Sequence, residues 1–216
     1  MSAPGRAQPS KDMKKIVAFG LAGLGVIAFT GVVAFRSIAA KEGAFETEVS
    51  PRAAKVLQEK IDAIKNSENS PQHKRGSSRV QLSEAELESY LIYSLQDDIP
   101  AKVDSATVDL AQDTVGLDAQ LTFASNATGN PMVDALVGGT HNLLFKGKLV
   151  ADHARGKFDL QEVRVDGIPV PNIFIQTLFK KYVKPKYPEA DLNEPFDMPW
   201  GIEELKLQPG KATVVY

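Results

Sequence analysis

The chain has 216 residues, of which 43% are hydrophobic, and it carries a formal net charge of −2 with no cysteine at all. That length suits one domain of ordinary size together with accessory segments. A chain without cysteine has neither a disulfide framework nor an amino-terminal cysteine for lipid attachment, so its stability depends on its core.

Residues 16–35 form a run without a single charged side chain. As a helix this run would span roughly 30 Å, the thickness of the hydrocarbon core of a bilayer. Four basic residues precede the run, at positions 6, 11, 14 and 15, and they predict that residues 1–15 stay in the cytoplasm. We therefore predict a single-pass anchor in the cell (inner) membrane, with the remaining chain in the periplasm or outside the cell.

A cleaved signal peptide is the alternative interpretation, with Ser37-Ile38-Ala39, which has small residues at its first and last positions, as the cleavage site. The apolar core of such peptides is usually about 7 to 15 residues long, which is shorter than this run. The length of the run therefore favours an uncleaved anchor.

Charge divides the chain at this predicted anchor. The first 36 residues contain five basic groups and one acid; subtracting these from the totals of 25 and 27 leaves 20 basic and 26 acidic groups beyond. Nucleic-acid binding requires a basic field around the protein, so we expect no nucleic acid as a partner.

The predicted elements begin with a short helix from residue 50 to 66, in which Ser50 caps the first turn and apolar residues recur at helical spacing. We assign residues 36–66 to a stalk that carries this helix. Residues 67–79 are polar, contain proline and glycine, and predict a flexible linker. The folded domain is then expected over residues 80–216.

A capping box opens the first helix of that domain, because Ser83 is followed three residues later by Glu86. The helix is expected to end near Gln96. Alternating apolar residues then predict two strands that turn at residues 112–113, and the second of them places apolar side chains at 115, 117, 119, 121 and 123 on one face.

A loop is predicted over residues 126–140, followed by a long strand at 141–153, a turn at 154–156 and a strand at 157–166. The alternation in the last strand changes parity, which predicts a bulge near Gln161 or Glu162. A helix at 171–183, an extended proline-rich segment, and a hairpin that turns on Pro209 and Gly210 complete the chain.

Catalysis has little support in the sequence. The histidines at 73, 141 and 153 have no spacing that would gather metal ligands, and no glycine-rich phosphate loop follows a strand. We expect the protein not to be an enzyme and to carry no metal or cofactor. An envelope hydrolase would need a nucleophile and a base that the sequence does not display.

The predicted helix at 171–183 is more apolar than a helix covering one sheet face needs to be. It ends in the lysines Lys180, Lys181 and Lys184. A buried core helix with lysines that complement its dipole is one interpretation. A lipid contact with lysines that meet anionic headgroups is the other.

Three stretches carry a resemblance to a known family: LSEAELESYL at 82–91, VDGIPVPNIFIQTLFKKY at 165–182, and MPWGIEELKLQPGKATVVY at 198–216. They resemble the membrane-anchored bacterial proteins called LmeA-like and YpmS-like, of the tubular lipid-binding (TULIP) superfamily. The resemblance implies a long, curved antiparallel sheet wrapped around two helices, with an apolar groove for acyl chains, and it implies lipid binding or transfer outside the cytoplasmic membrane.

We therefore predict an α+β domain that binds a phospholipid, an isoprenoid-like molecule or another long apolar ligand between the helix at 171–183 and the sheet. The lysines are expected to orient an anionic headgroup. The predicted groove residues are Phe174, Ile175, Leu178, Phe179, Leu121, Phe123, Leu143, Phe145 and Leu149. The alternative function is a closed, non-enzymatic interaction or scaffold module that presents a strand edge or residues 185–200 to a protein of the cell envelope.

Overall fold

A computed structural model of the chain describes residues 45–68, 70–95, 101–123, 138–178, 180, 184, 192 and 194–216. In these residues the fold is α+β with a large antiparallel sheet, which confirms the predicted class. The predicted anchor at 16–35 and most of the predicted loop at 126–140 lie outside the described residues. Among the helices in the described part of the chain, none is both long enough and apolar enough to span a bilayer.

Three α-helices and nine strands are defined in these residues. The helices are α1 (Pro51–Glu68), α2 (Glu84–Tyr93) and α3 (Asn172–Leu178), and a 3-10 turn covers Pro199–Gly201. The strands are β1 (Arg79–Ser83), β2 (Ala101–Ala111), β3 (Thr114–Phe123), β4 (Gly139–Asp152), β5 (Arg155–Val165), β6 (Ile168–Pro169), β7 (Phe196–Asp197), β8 (Glu204–Gln208) and β9 (Lys211–Val215).

Strand β4 is the centre of the sheet. It pairs with β3 on one side and with β5 on the other, and β8 joins it through Ala151 and Leu205, beyond the end of β3. The order along the sheet is β1-β9-β8-β4-β3-β2, while β6 and β7 pair with β5. All of these pairs are antiparallel.

The predicted alternation of β2 and β3 is confirmed. Val108 and Leu110 on β2, and Leu117, Ala119 and Leu121 on β3, are buried, while Asp109, Asp118 and Gln120, which alternate with them, face solvent. The two strands turn at residues 112–113, as predicted. One face of this hairpin therefore belongs to the core and the other is wet.

The predicted bulge is present at Gln161. Lys146 lies opposite Glu162 and the next residue, Gly147, lies opposite Leu160, so Gln161 is the extra residue of β5. Because a bulge moves the following side chains to the opposite parity, Val163 returns to the core face. A second irregularity, between Val103 and Ser105 on β2, was not predicted.

The turn between β4 and β5 differs from the prediction by about one residue. It consists of His153 and Ala154, both with positive φ, and β5 already begins at Arg155. Two successive left-handed residues are typical of a tight two-residue hairpin turn. The final hairpin turns on Pro209 and Gly210 as predicted, with Gly210 at a φ of 77°.

Helix α2 has the predicted capping box: the Ser83 hydroxyl accepts from the Glu86 N–H, and the Glu86 carboxylate accepts from the Ser83 N–H. The helix ends at Tyr93, three residues before the expected end. Two glutamates of α2 accept hydrogen bonds from the free edge of β2. Glu84 accepts from the Leu110 N–H at 2.7 Å, and Glu88 accepts from the Val108 N–H at 2.8 Å. These two N–H groups are therefore not available to another strand.

Helix α1 is part of the core, which differs from the predicted stalk. Its apolar stripe, with Leu57 and Ile64 buried, packs against α2 and the sheet. The Ser50 hydroxyl accepts from the Ala53 N–H, so the predicted cap is present. The stripe correctly predicts a helix, but the residues against which it packs lie far away in the sequence.

A buried ion pair fastens α1 to α2. Lys60 is 6% exposed and Glu86 is fully buried. The Lys60 ammonium donates to both Glu86 carboxylate oxygens, at 2.7 and 2.8 Å, and to the Gln81 carbonyl at 2.7 Å. The carboxylate also accepts from the Glu46 N–H at 3.2 Å. Since every donor of the ammonium has an acceptor, the pair meets the condition under which buried charges are tolerated.

The same network holds the segment that precedes α1. Besides its N–H bond to Glu86, Glu46 accepts through its carbonyl from the Ser83 hydroxyl, and the Ser50 N–H donates to the Ser89 hydroxyl at 3.0 Å. Residues 46–50 are therefore attached to the amino-terminal half of α2.

The segment predicted as a linker is tied to the end of the chain. Strand β1 begins at Arg79 and pairs with β9 over five residues. Before it, Ser78 and Tyr216 exchange two backbone hydrogen bonds, and the His73 ring stacks on Tyr216 with centroids 5.4 Å apart. Burial raises the pKa of the Tyr216 phenol. The last strand thus joins residues 73–83 to the sheet.

Candidate functional site

The predicted groove residues of the sheet share one face. Leu121 and Phe123 on β3 have the inward parity, and so do Leu143, Phe145 and Leu149 on β4. Three of the five belong to the packed core: Leu121, Phe145 and Leu149 are each less than 10% exposed. Phe123 and Leu143 are only partly buried and lie at the margin of the core.

Phe145 and Leu149 are held by neighbours on β5. The Phe145 ring stacks on Phe158 with centroids 5.8 Å apart, and Leu149 lies opposite Phe158 in the strand register. Both residues therefore lie beside Phe158 within the sheet. These two residues therefore serve the core in the structure described.

Helix α3 places Ile175 over β5. Ile175 is 7% exposed and packs against Leu160 and Val163 of β5, and also against Val170 and Leu192. The side chains of Phe174 and Leu178, and all of Phe179, lie outside the described residues.

Strand register brings the margin of the sheet and α3 together. Val163, which contacts Ile175, lies opposite Phe145, and Leu143 lies two residues before Phe145 on the same face. We call the surface that extends from Val163 and Ile175 past Leu143 to Phe123 the apolar end. Phe123 lies opposite Gly139, four residues before Leu143 on β4, and the His141 ring lies between them on the same face. The apolar end includes three of the predicted residues, together with Val163, which was not among them.

A histidine–aspartate clamp borders the apolar end. The His141 Nδ1 lies 2.7 Å from the Asp166 carboxylate, and the other carboxylate oxygen accepts from the Asn142 N–H at 2.8 Å. The hydrogen bond from His141, followed by that from the Asn142 backbone, holds the pKa of Asp166 below its ordinary value of 3.8. The Asp166 N–H also donates to the Asn142 carbonyl. The clamp fixes the turn after β5 against β4.

This clamp was not predicted from the sequence, because the spacing of the histidines at 73, 141 and 153 indicates no common site. A signal was present: His141 has the same parity as Leu143 and Phe145, and its ring lies 6.1 Å from that of Phe123. A histidine on an apolar strand face requires a polar partner. What the sequence could not provide is the identity of Asp166 as that partner.

The predicted lysine cluster is described only in part. Lys180 is exposed and Lys184 is partly buried, whereas Lys181 lies outside the described residues. Within the described residues, no three histidines or carboxylates lie close enough together to bind a metal ion.

An apolar pocket of about 60 Å³ lies in another part of the molecule, between α1, α2 and the sheet. Its walls include Leu57 and Ile61 of α1, Leu87 of α2, and Trp200. None of the predicted groove residues lines it. This pocket could not be predicted from the sequence, because the apolar stripe of α1 indicates a helix but not the surface that the helix covers.

A polar hollow of about 240 Å³ lies on the outer face of β1, β9 and β8. Arg79, Glu204 and Lys206 are among its lining residues, and Lys206 pairs with Glu204 at 2.5 Å. With Lys206 paired to Glu204, Arg79 is the remaining charged residue among those that line the hollow, so the hollow offers no cluster of one charge to a ligand.

No protein-family model matches the chain, and no curated protein matches it either. The resemblance to the tubular lipid-binding proteins therefore stays a prediction.

Proposed function

We propose that this protein is anchored in the cell membrane by residues 16–35 and binds a lipid or another long apolar molecule at the apolar end, outside the cytoplasm. One observation carries the proposal. Helices α1 and α2 border the core face at Val108, Val115 and Leu117, whereas the same face continues to the partly buried Phe123 and Leu143. In the described residues, α3 is the helix that packs beside this continuation.

Helix α3 is short, and the apolar burial that its described side chains show is that of one isoleucine. It has seven residues, too few for a helix that is stable by itself, and Ile175 is its buried residue in the described part of the chain. Exposing this isoleucine costs about 1.5–3 kcal/mol. Burial of an acyl chain returns about 0.8 kcal/mol per methylene, so about four methylenes offset the exposure of Ile175. A full acyl chain exceeds that number severalfold.

The proposal includes a curved sheet that wraps around two helices, as in the family that the sequence resembles. Two features support it: the strands of 10 to 14 residues in β2–β5, and the irregularities in β2 and β5. Long strands interrupted by bulges favour a bent sheet over a flat one.

The closed interaction module is the second candidate, and a specific observation favours it. Leu121, Phe145 and Leu149 are already packed, and the pocket between the helices, at about 60 Å³, is far smaller than the roughly 300–1,000 Å³ of usual ligand sites. On this account, the apolar end is the edge of an ordinary core.

Photo-crosslinking with a diazirine-bearing phospholipid distinguishes the two candidates. Lipid binding at the apolar end predicts labelled peptides from the carboxyl end of β3, from the start of β4 and from α3. Labelling confined to α1 and α2 would place the ligand in the pocket instead. No labelling beyond residues 16–35 would favour the closed module.

A matched pair of variants on β4 provides the control. Leu143 faces the apolar end and Val150 faces solvent on the opposite side of the same strand. We expect Leu143→Asn to lose most of the crosslinking to β3 and α3, while Val150→Asn keeps it. Equal labelling of the two variants would contradict the proposed site.

A further inference from the structure

The turn that precedes α3 presents a compact apolar surface. Residues 167–173, with the sequence GIPVPNI, contain no charged side chain, and we call them the tip. Ile168 is 70% exposed and Ile173 is 66% exposed, and Val165 beside them is 37% exposed. Of the seven large apolar side chains that are exposed in the described residues, these three fall within nine positions.

The tip leaves few backbone donors that need water. Pro169 and Pro171 have no N–H, and the Val170 N–H donates to the Val163 carbonyl at 2.9 Å. Ile168 pairs with Val165 across the turn. Entering hydrocarbon is costly for unsatisfied backbone groups, and this turn has removed or satisfied most of them.

The charged groups at the base of the tip are hydrogen-bonded or paired with residues outside the tip. The Asp166 carboxylate is held by His141 and by the Asn142 N–H, and the Arg164 guanidinium lies 2.5 Å from Glu162. These groups lie on or beside β5, behind the exposed isoleucines. The tip can therefore approach an apolar phase without freeing a charge.

Chain length allows one bilayer to hold both the predicted anchor and the tip. Nine residues, 36–44, separate the apolar run from Phe45, and their covalent reach is at most about 30 Å. Glu46 is hydrogen-bonded to Ser83, and the next residue, Glu84, is hydrogen-bonded to Leu110. Counted from Leu110 along the direction of β3 and β4, the tip lies about six or seven residues away. That separation is about 20 Å, which is within the reach of the tether.

We propose that the tip inserts into the outer leaflet of the bilayer that holds residues 16–35, so that the domain lies with the apolar end against the membrane. This inference rests on the anchorage in the proposed function and adds to it the surface through which a lipid would enter. Ile168 and Ile173 are the inserting side chains.

The absence of cysteine makes the test direct, because a single introduced thiol is labelled uniquely. The full chain carrying Ile168→Cys, Ile173→Cys or, as control, Val150→Cys is labelled with the fluorophore NBD. Each labelled protein is reconstituted into phosphatidylcholine and phosphatidylglycerol vesicles with and without a nitroxide-bearing lipid. Val150 is a matched control, since it is exposed but lies on the polar face of β4.

We expect the label at 168 and 173 to emit at shorter wavelength and to lose most of its intensity to the nitroxide, while the label at 150 stays solvated and bright. Equal quenching at all three positions would overturn the proposal. A blue shift without nitroxide quenching, lost when the protein is diluted among vesicles, would also overturn it and would assign the tip to a second copy of the chain.

Together with the photo-crosslinking experiment, this measurement separates failure of one proposal from failure of the other. Lipid that remains bound to the wild-type chain when the tip is unquenched contradicts insertion alone. A quenched tip on a chain that binds no lipid contradicts the proposed function alone.

Discussion

The ion pair of Lys60 and Glu86 predicts a large and non-additive loss of stability on mutation. Their shortest N–O distance is 2.7 Å, at which opposite charges attract by about 6 kcal/mol for an effective dielectric constant near 20. Most of that attraction offsets the cost of removing both groups from water. Deleting one partner leaves the other buried and unpaired, which costs about 3–5 kcal/mol.

We therefore expect Lys60→Met and Glu86→Gln each to lower the free energy of unfolding by about 3–5 kcal/mol. The double variant should lose much less than the sum of the two, because it leaves no uncompensated charge. Since a domain of this kind is stable by about 5–15 kcal/mol, each single variant stands close to the limit of folding.

The assay is urea unfolding followed by tryptophan fluorescence. The chain has a single tryptophan, and Trp200 lies against α1, with the Lys65 ammonium 4.8 Å from its ring. Its emission therefore reports the detachment of α1. Single variants within about 1 kcal/mol of the wild type, or effects that simply add, would refute the reasoning, because exposed ion pairs behave in that way.

Three further predictions concern the sheet. Gly147→Ala is expected to cost about 1–3 kcal/mol in chemical unfolding, because a Cβ there would lie 2.1 Å from the Phe158 ring; no loss would mean that the ring moves freely. Burial raises the pKa of Glu88 above 4.5, although the hydrogen bond from the Val108 N–H acts in the opposite direction. The folded state therefore favours the protonated carboxyl, and the stability that this provides is lost as the pH rises through the raised pKa. Glu88→Gln should flatten the decrease in stability that follows above pH 4.5, and an unchanged profile would contradict the assignment. The pKa of Asp166 is shifted in the opposite direction, below 3.8. The stability that the clamp provides is therefore present above that pH and is lost on acidification. Asp166→Asn should remove this acid-dependent step from an NMR titration.

Local features of the fold could be predicted because short-range chemistry determines them. The capping box at Ser83 needs only a hydroxyl and a carboxylate three residues apart, and the Pro209–Gly210 turn needs only a fixed φ and a glycine. The bulge at Gln161 is visible as a change of parity. Each signal lies within a few residues of the element it specifies.

Long-range partners could not be predicted in the same way. The stripe of α1 shows a helix but not which surface covers it, and Lys60 in that helix reads as an exposed residue until Glu86 is placed beside it. Likewise the acids of α2 satisfy the edge of β2 across 20 residues or more. Nothing in the local pattern distinguishes these acids from solvated ones.

The candidate site shows the same division. Strand alternation correctly placed Phe123 and Leu143 on the inner face, but it could not separate marginal residues from the fully packed Leu121 and Phe145. That difference depends on what lies above each position, which only tertiary structure decides.

Native mass spectrometry of the full chain tests the central claim most directly. The protein is released from detergent in the gas phase, and whatever remains bound is extracted and identified. Our account predicts one phospholipid or isoprenoid per chain, retained by Val150→Asn and lost from Leu143→Asn. A wild-type chain that is folded, free of lipid and unable to take lipid up from vesicles would contradict it.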